Sequence, residues 1–89
     1  MVKVKGPTET KQYRLTWSSD LAADDTVASS VWTVPTDLTG SADTIDSGRE
    51  TVITLTGGKQ GHLYKVLNTV TADSGQIYSQ TLFIYIEQS

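Results

Sequence analysis

Apolar and polar residues alternate singly along much of the chain, the pattern of strands that bury one face. In KQYRLTWSS, Tyr13, Leu15 and Trp17 alternate with Arg14, Thr16 and Ser18, which predicts a half-buried strand. The loop SDLAADD follows. TVASSVWTVP is a β-branched run closed by Pro35, which has no N–H to give to a sheet ladder. Thr36 to Gly48 is polar and rich in turn residues, so it predicts a loop with at most one short edge strand around Ile45. ETVITLT predicts another strand, with Ile53 and Leu55 on one face.

The segment HLYKVLNTVTA fits two periods. Leu63, Val66, Leu67 and Val70 fall at helical spacing, while Tyr64, Val66 and Val70 fit alternation. Its Tyr, Val, Thr and Asn residues are poor helix formers. It also runs through the turn signal ADSGQ into IYSQTLFIYIE, where Leu82, Ile84 and Ile86 alternate with Thr81, Phe83 and Tyr85. A hairpin closed at Asp73-Ser74-Gly75 accounts for both flanks, so the segment is read as a strand. Five strands, one or two shorter ones and a turn about every ten residues predict an all-β fold. The arrangement expected is an immunoglobulin- or fibronectin-III-like β-sandwich of about seven antiparallel strands. Residues 1–89 form one domain in this reading, with residues 1–10 as an N-terminal arm or edge strand.

Composition narrows the function classes. At 89 residues the chain has room for one core, and without cysteine it has neither disulfides nor the commonest soft zinc ligands. A single histidine, His62, makes a transition-metal cluster implausible. The net charge of −3 argues against nucleic acid as a partner, since that binding needs a basic footprint. No apolar run approaches the roughly 20 residues of a membrane helix. MVKVKGPTETK lacks the apolar stretch of a signal peptide, so synthesis in a cytoplasm is expected.

One stretch invites a catalytic reading. TLTGGKQGHLYKV places Gly57, Gly58, Lys59 and Gly61 between two apolar runs, as a phosphate-binding loop would. The spacing fails, however: Gly61 is followed by His62 rather than Lys, and no Ser or Thr follows Lys59. A turn whose glycines take positive φ is the better reading. Tyr64, two residues before the inward-facing Val66, matches the tyrosine corner of immunoglobulin-like sandwiches, whose hydroxyl bonds back to the preceding turn. Trp17 is similar to the core tryptophan of fibronectin type III domains.

Asp20, Asp24 and Asp25 sit in one loop, and Asp37, Asp43 and Asp46 in another; together they could hold Ca²⁺ if the loops met. No calcium-loop spacing is present, and aspartate is frequent in turns, so no metal or other cofactor is expected. Nothing in the sequence places a nucleophile beside His62, and no catalytic residue is assigned. Trp32, Tyr78, Phe83 and Tyr85 leave a carbohydrate- or surface-binding module as the alternative function, although packing is the commoner use of such residues.

Read in order, PTETKQYRLTW, LAADDTVASSVWTVP and TLTGGKQGHLYKVLNTVTADSGQ, followed by an apolar strand, carry a family likeness. The specific parts are Trp17, then Asp25, Val27, Ser30 and Trp32, then Gly57, Gly58, Gly61 and Tyr64. This order resembles the bacteriophage immunoglobulin-like fiber-tail adaptor proteins, small structural proteins of phage tails and necks. Asp24 stands where that family usually has Gly, and Pro35-Thr36-Asp37-Leu38 replaces its Pro-x-Gly-Leu. The resemblance implies a virion structural protein made in the host cytoplasm and located in the tail. It would join tail, neck and fiber proteins by protein–protein contacts and perform no catalysis. A homo-oligomeric ring, built where the N-terminal segment meets a neighbour's sheet edge, is the assembly expected.

Overall fold

The alternating runs form seven strands: β1 (Val2–Lys5), β2 (Thr10–Thr16), β3 (Val27–Thr33), β4 (Leu38–Asp46), β5 (Glu50–Gly57), β6 (Leu63–Ala72) and β7 (Ile77–Ile86). The structure, a computed structural model, describes residues 2–87. The strands make two sheets, ordered β1-β7-β6-β3 and β2-β5-β4, which face each other as a β-sandwich. All pairings are antiparallel except that of β1 with β7. Those two come from opposite ends of the chain, so no short turn dictates their relative direction.

The β6–β7 hairpin runs in unbroken register from Leu63 opposite Tyr85 to Thr71 opposite Ile77. Its turn is closed by Ala72 N–H donating to Gln76 O at 2.8 Å and Gly75 N–H to Ala72 O at 2.9 Å. Gly75 has φ of +95°, a conformation that a side chain disfavours. The helical stripe in HLYKVLNTVTA is thus a coincidence of spacing. Tyr64, Val66, Asn68, Val70 and Ala72 alternate inward along β6.

Thr36 to Gly48 departs from expectation. It holds the nine-residue strand β4, paired with β5 from Leu38 opposite Gly57 to Asp46 opposite Glu50, with a bulge between Ser41 and Thr44. Only Leu38 of β4 is buried. Hydrogen bonding to the central β5 makes this strand, so it leaves no apolar alternation to read.

Two apolar clusters fill the sandwich. Tyr13, Ile53, Leu55, Tyr64, Val66 and Ile84 belong to the larger, with Trp32 and Val34 packed against it. Trp17, Leu21, Val27, Val70 and Ala72 form the smaller, with Leu15 and Tyr78 against it. The fully buried polar residues Thr51 and Asn68 lie on the inward faces of β5 and β6. Trp17 Nε1 donates to Thr51 Oγ1 at 3.0 Å, and that hydroxyl donates to Asn68 Oδ1 at 2.5 Å. Asn68 Nδ2 then donates to Ser30 Oγ at 2.8 Å and Val31 O at 3.0 Å. This chain of bonds spans both sheets and satisfies every polar atom of the Asn68 side chain.

Thr51→Val keeps the shape of the side chain but strands the Trp17 N–H and one Asn68 oxygen in the core. Urea unfolding should show a loss of about 2–4 kcal/mol with an unchanged m-value. A loss below about 0.5 kcal/mol would show that the chain of bonds contributes little.

Candidate functional site

The connection from β5 to β6 carries the backbone from one sheet to the other. Gly57, Gly58 and Gly61 have φ of +90°, +103° and +81°. Space is as restrictive as conformation at the first two. A Cβ on Gly57 would sit 3.0 Å from Asp37 O, and one on Gly58 would sit 2.7 Å from Ile86 Cδ1. The N–H groups that a phosphate would need are committed elsewhere. Gly58 N–H donates to Asp37 O at 3.0 Å and Gly61 N–H to Ile86 O at 2.7 Å.

Lys59 N–H donates to the Tyr64 hydroxyl at 3.0 Å, and that hydroxyl donates to Asp37 Oδ2 at 2.9 Å. Burial pushes the Tyr64 phenol above its ordinary pKa. Beside this loop Lys5 points inward from β1 and is fully buried. Its Nζ donates to Gly6 O at 2.8 Å and Gly57 O at 2.6 Å, while burial lowers its pKa. One end of the sandwich is therefore closed by two polar side chains from different sheet positions, each bonded to the glycine connection or to its neighbour Asp37.

The other residues singled out in the sequence lie apart. Trp32 packs, half-buried, against the same cluster as Tyr64, but Trp17 belongs to the cluster at the other side of Thr51 and Asn68. His62 is exposed, with its ring stacked 6.1 Å from that of Tyr64. Tyr78 packs on the smaller cluster, Phe83 is half-buried and Tyr85 is exposed.

Asp25 and Asp73 are bound to the loops around them, whereas Asp43 and Asp46 lie on β4. Asp25 Oδ1 accepts from Thr26 N–H at 3.0 Å and Ser74 N–H at 3.2 Å, and its Oδ2 from the Ser74 hydroxyl at 2.5 Å. The bond from the Ser74 hydroxyl is the largest influence holding the Asp25 carboxyl below its ordinary pKa of 3.8. Asp73 accepts a short bond from the Thr26 hydroxyl. Arg14 reaches Asp46 at 2.6 Å and Glu50 at 2.9 Å, and its hydrogen bond depresses the Asp46 pKa. Among the described residues, no group of three or more His, Cys, Asp or Glu is placed to hold a metal ion.

Contact surface is what the fold offers most. Strands β1 and β3 are the edges of one sheet, and β2 and β4 the edges of the other. The flank formed by β1 and β2 bears Lys3 and Lys11, the latter paired with Glu9, whereas that of β3 and β4 bears Asp43 and no cation; Arg14 and Asp46 pair with each other across the outer face of β5. The outer face of the four-stranded sheet is apolar at one end. Val4, Tyr85 and Leu63 form one cross-strand row there, and Val2, Phe83 and Lys65 the next. These outward residues were not singled out by alternation, which assigns only one face of each strand to the core. A signal was available in LFIYI, five consecutive apolar positions that must place apolar groups on both faces.

Tyr64→Phe should lower the melting temperature by about 4–8 °C, because the Lys59 N–H and Asp37 lose their shared partner. An unchanged melting curve would remove any fastening role for the hydroxyl. The depressed Asp25 pKa stabilises the folded state above pH 3.8, and that contribution is lost as pH falls through the folded value. Asp25→Asn should therefore reduce stability at pH 7 and flatten its decline below pH 4, as measured by thermal unfolding across pH; equally steep acid loss in the variant would contradict this.

A family model described as podophage GP4 fiber-tail adaptor protein gp77 matches residues 5–85. No curated protein matches the chain. With nearly its whole length matched, the chain belongs to the fiber-tail adaptor family.

Proposed function

We propose that this member of the fiber-tail adaptor family is a structural protein of the podophage virion that joins tail to fiber or neck proteins by noncovalent contacts. The match over residues 5–85 carries the reading. The chemistry of the loops agrees with it, since the glycine N–H groups and most loop carboxylates are spent on internal bonds and leave little for turnover. The protein acts in the tail after synthesis in the host cytoplasm, without an enzymatic step, and its partners are proteins rather than nucleic acid or membrane.

The sandwich is read as immunoglobulin-like. Strands β2, β5 and β4 take the places of B, E and D, and β3, β6 and β7 those of C, F and G. Tyr64, at the start of β6 and bonded back to Lys59, then takes the tyrosine-corner position. In this reading Trp17, Trp32, Gly57, Gly58, Gly61 and Tyr64 build the scaffold and contact no ligand.

Copies of the chain assemble head to tail into a closed ring, a heterologous contact between unlike flanks. The N-terminal segment lies along its own chain's β7 as strand β1, and its other edge is the one that would meet a neighbour. A neighbour's β3, also an edge strand, is the complement that continues the sheet. Lys3 on the β1–β2 flank and Asp43 on the β3–β4 flank, neither ion-paired among the described residues, favour that direction of assembly.

Proteomics of purified virions should find the protein in stoichiometric amounts with tail and fiber proteins; its absence would defeat the adaptor reading. Multi-angle light scattering should show an oligomer that Asp43→Lys dissociates. A monomer at high micromolar concentration would defeat the ring alone.

A further inference from the structure

Six of the large apolar residues that the fold leaves exposed share the outer face of the four-stranded sheet: Val2, Val4, Val31, Leu63, Ile77 and Tyr85. All but Tyr85 are more than half exposed. Val31 and Ile77 lie toward the far end of the face, opposite Thr69 and Thr71, whereas Val2, Val4 and Leu63, at 57%, 52% and 56%, lie together. They gather at one end of the face with Tyr85 and Phe83, around a single cation, Lys65. The opposite sheet has no such face: Thr10, Thr56 and Thr39 form one of its outer rows, and Arg14, Val52 and Thr44 another. Val52 there is buried, covered by its neighbours.

We infer that this end of the four-stranded face docks a different protein, whose complementary surface is apolar and presents a carboxylate to Lys65. The inference rests on the adaptor reading for the existence of a partner and adds which face holds it and by what chemistry. Apolar surface clustered on one face is costly to leave in water, and clustering of this kind marks an interaction site. The strands of this face have 4, 10, 10 and 7 residues, and its apolar end, about four residues along three strands about 4.8 Å apart, presents on the order of 200 Å². That is the scale of the apolar centre of an interface, to which one partner contributes roughly 800 Å² in all.

Charge selects the occupant. Lys65 lies on β6, an inner strand of the sheet, and takes part in none of the ion pairs among the described residues. A second copy packed face to face about a two-fold axis through this end would bring two Lys65 ammonium groups into one dehydrated interface. A partner carboxylate instead gives Lys65 the counter-charge that burial requires. The face is thereby assigned to a foreign protein, and the flanks remain for copies of the chain.

The test uses tails from particles assembled without this protein, purified fiber protein, and the full chain as wild type, Leu63→Lys, Tyr85→Lys, Lys65→Glu and Gln12→Lys. Leu63, Lys65 and Tyr85 lie on the inner strands β6 and β7, away from the edges that meet a neighbouring copy. Gln12 is exposed on the other sheet and serves as the control. The wild type and Gln12→Lys should bind tail or fiber protein with equal affinity. The three face variants should bind at least tenfold more weakly, with melting temperature and oligomeric state unchanged. Undiminished binding by Leu63→Lys and Tyr85→Lys overturns the face but leaves the adaptor reading standing. Loss in those two with full binding by Lys65→Glu overturns the carboxylate. A wild-type dimer that Tyr85→Lys dissociates assigns the face to a second copy and overturns the inference. Failure of the wild type to bind tail or fiber defeats the adaptor reading, and this inference with it.

Discussion

The hydrogen bond between the Thr51 hydroxyl and Asn68 Oδ1 crosses the middle of the core and ties one sheet to the other. Trp17 at one side and Ser30 and Val31 at the other extend it into a continuous polar chain. A buried polar group is costly to leave without its partners, so this chain of bonds favours one register between the sheets. A one-residue slip of β6 would turn Asn68 to solvent and bring Leu67 and Thr69 inward, taking from the Thr51 hydroxyl its Asn68 acceptor. In a chain with no cysteine, this constraint does the specifying that an inter-sheet disulfide does in antibody domains.

With the middle fixed, each end is closed in its own way. At one end Lys5 and Tyr64 bond to the glycine connection from both sides, and a Cβ at Gly57 or Gly58 would press on Asp37 or Ile86. At the other end Arg49 donates to the carbonyls of Ser18, Ala22 and Asp25, and Asp25 in turn holds Ser74. The long loop after β2 is thereby fastened to both hairpin ends. A domain this small uses its interior for stability, so its capacity to act lies in its faces and edges. Their polarity differs sharply: a cationic flank, an acidic flank, a hydroxyl-rich outer face on one sheet and an apolar one on the other. Such asymmetry suits a protein that must meet more than one neighbour.

Much of this was legible in the chain. Strand β2 and the β6–β7 hairpin declare themselves because burial of one face writes period two into the sequence, and ADSGQ supplies the turn. The glycine run was legible as a turn because its spacing fails the needs of a phosphate loop. Strand β4 was not legible, since eight of its nine residues are exposed and its existence rests on backbone bonds to β5. Thr51 and Asn68 were also missed, for they look like ordinary polar strand residues. Asn68 did carry a signal: it falls in phase with Tyr64, Val66 and Val70, so it had to be buried and therefore bonded.

Sequence alone determined the all-β class, the main strands, the absence of cysteine chemistry and the likeness to fiber-tail adaptors, because these depend on local pattern and residue type. Tertiary structure decided which polar residues meet across the core, that β1 runs parallel to β7, and that Val2, Val4, Leu63 and Tyr85 share one face around Lys65. Those facts depend on pairing between segments up to some eighty residues apart. Alternation reports that a strand has two faces; only the partner strand reveals which neighbours each face acquires.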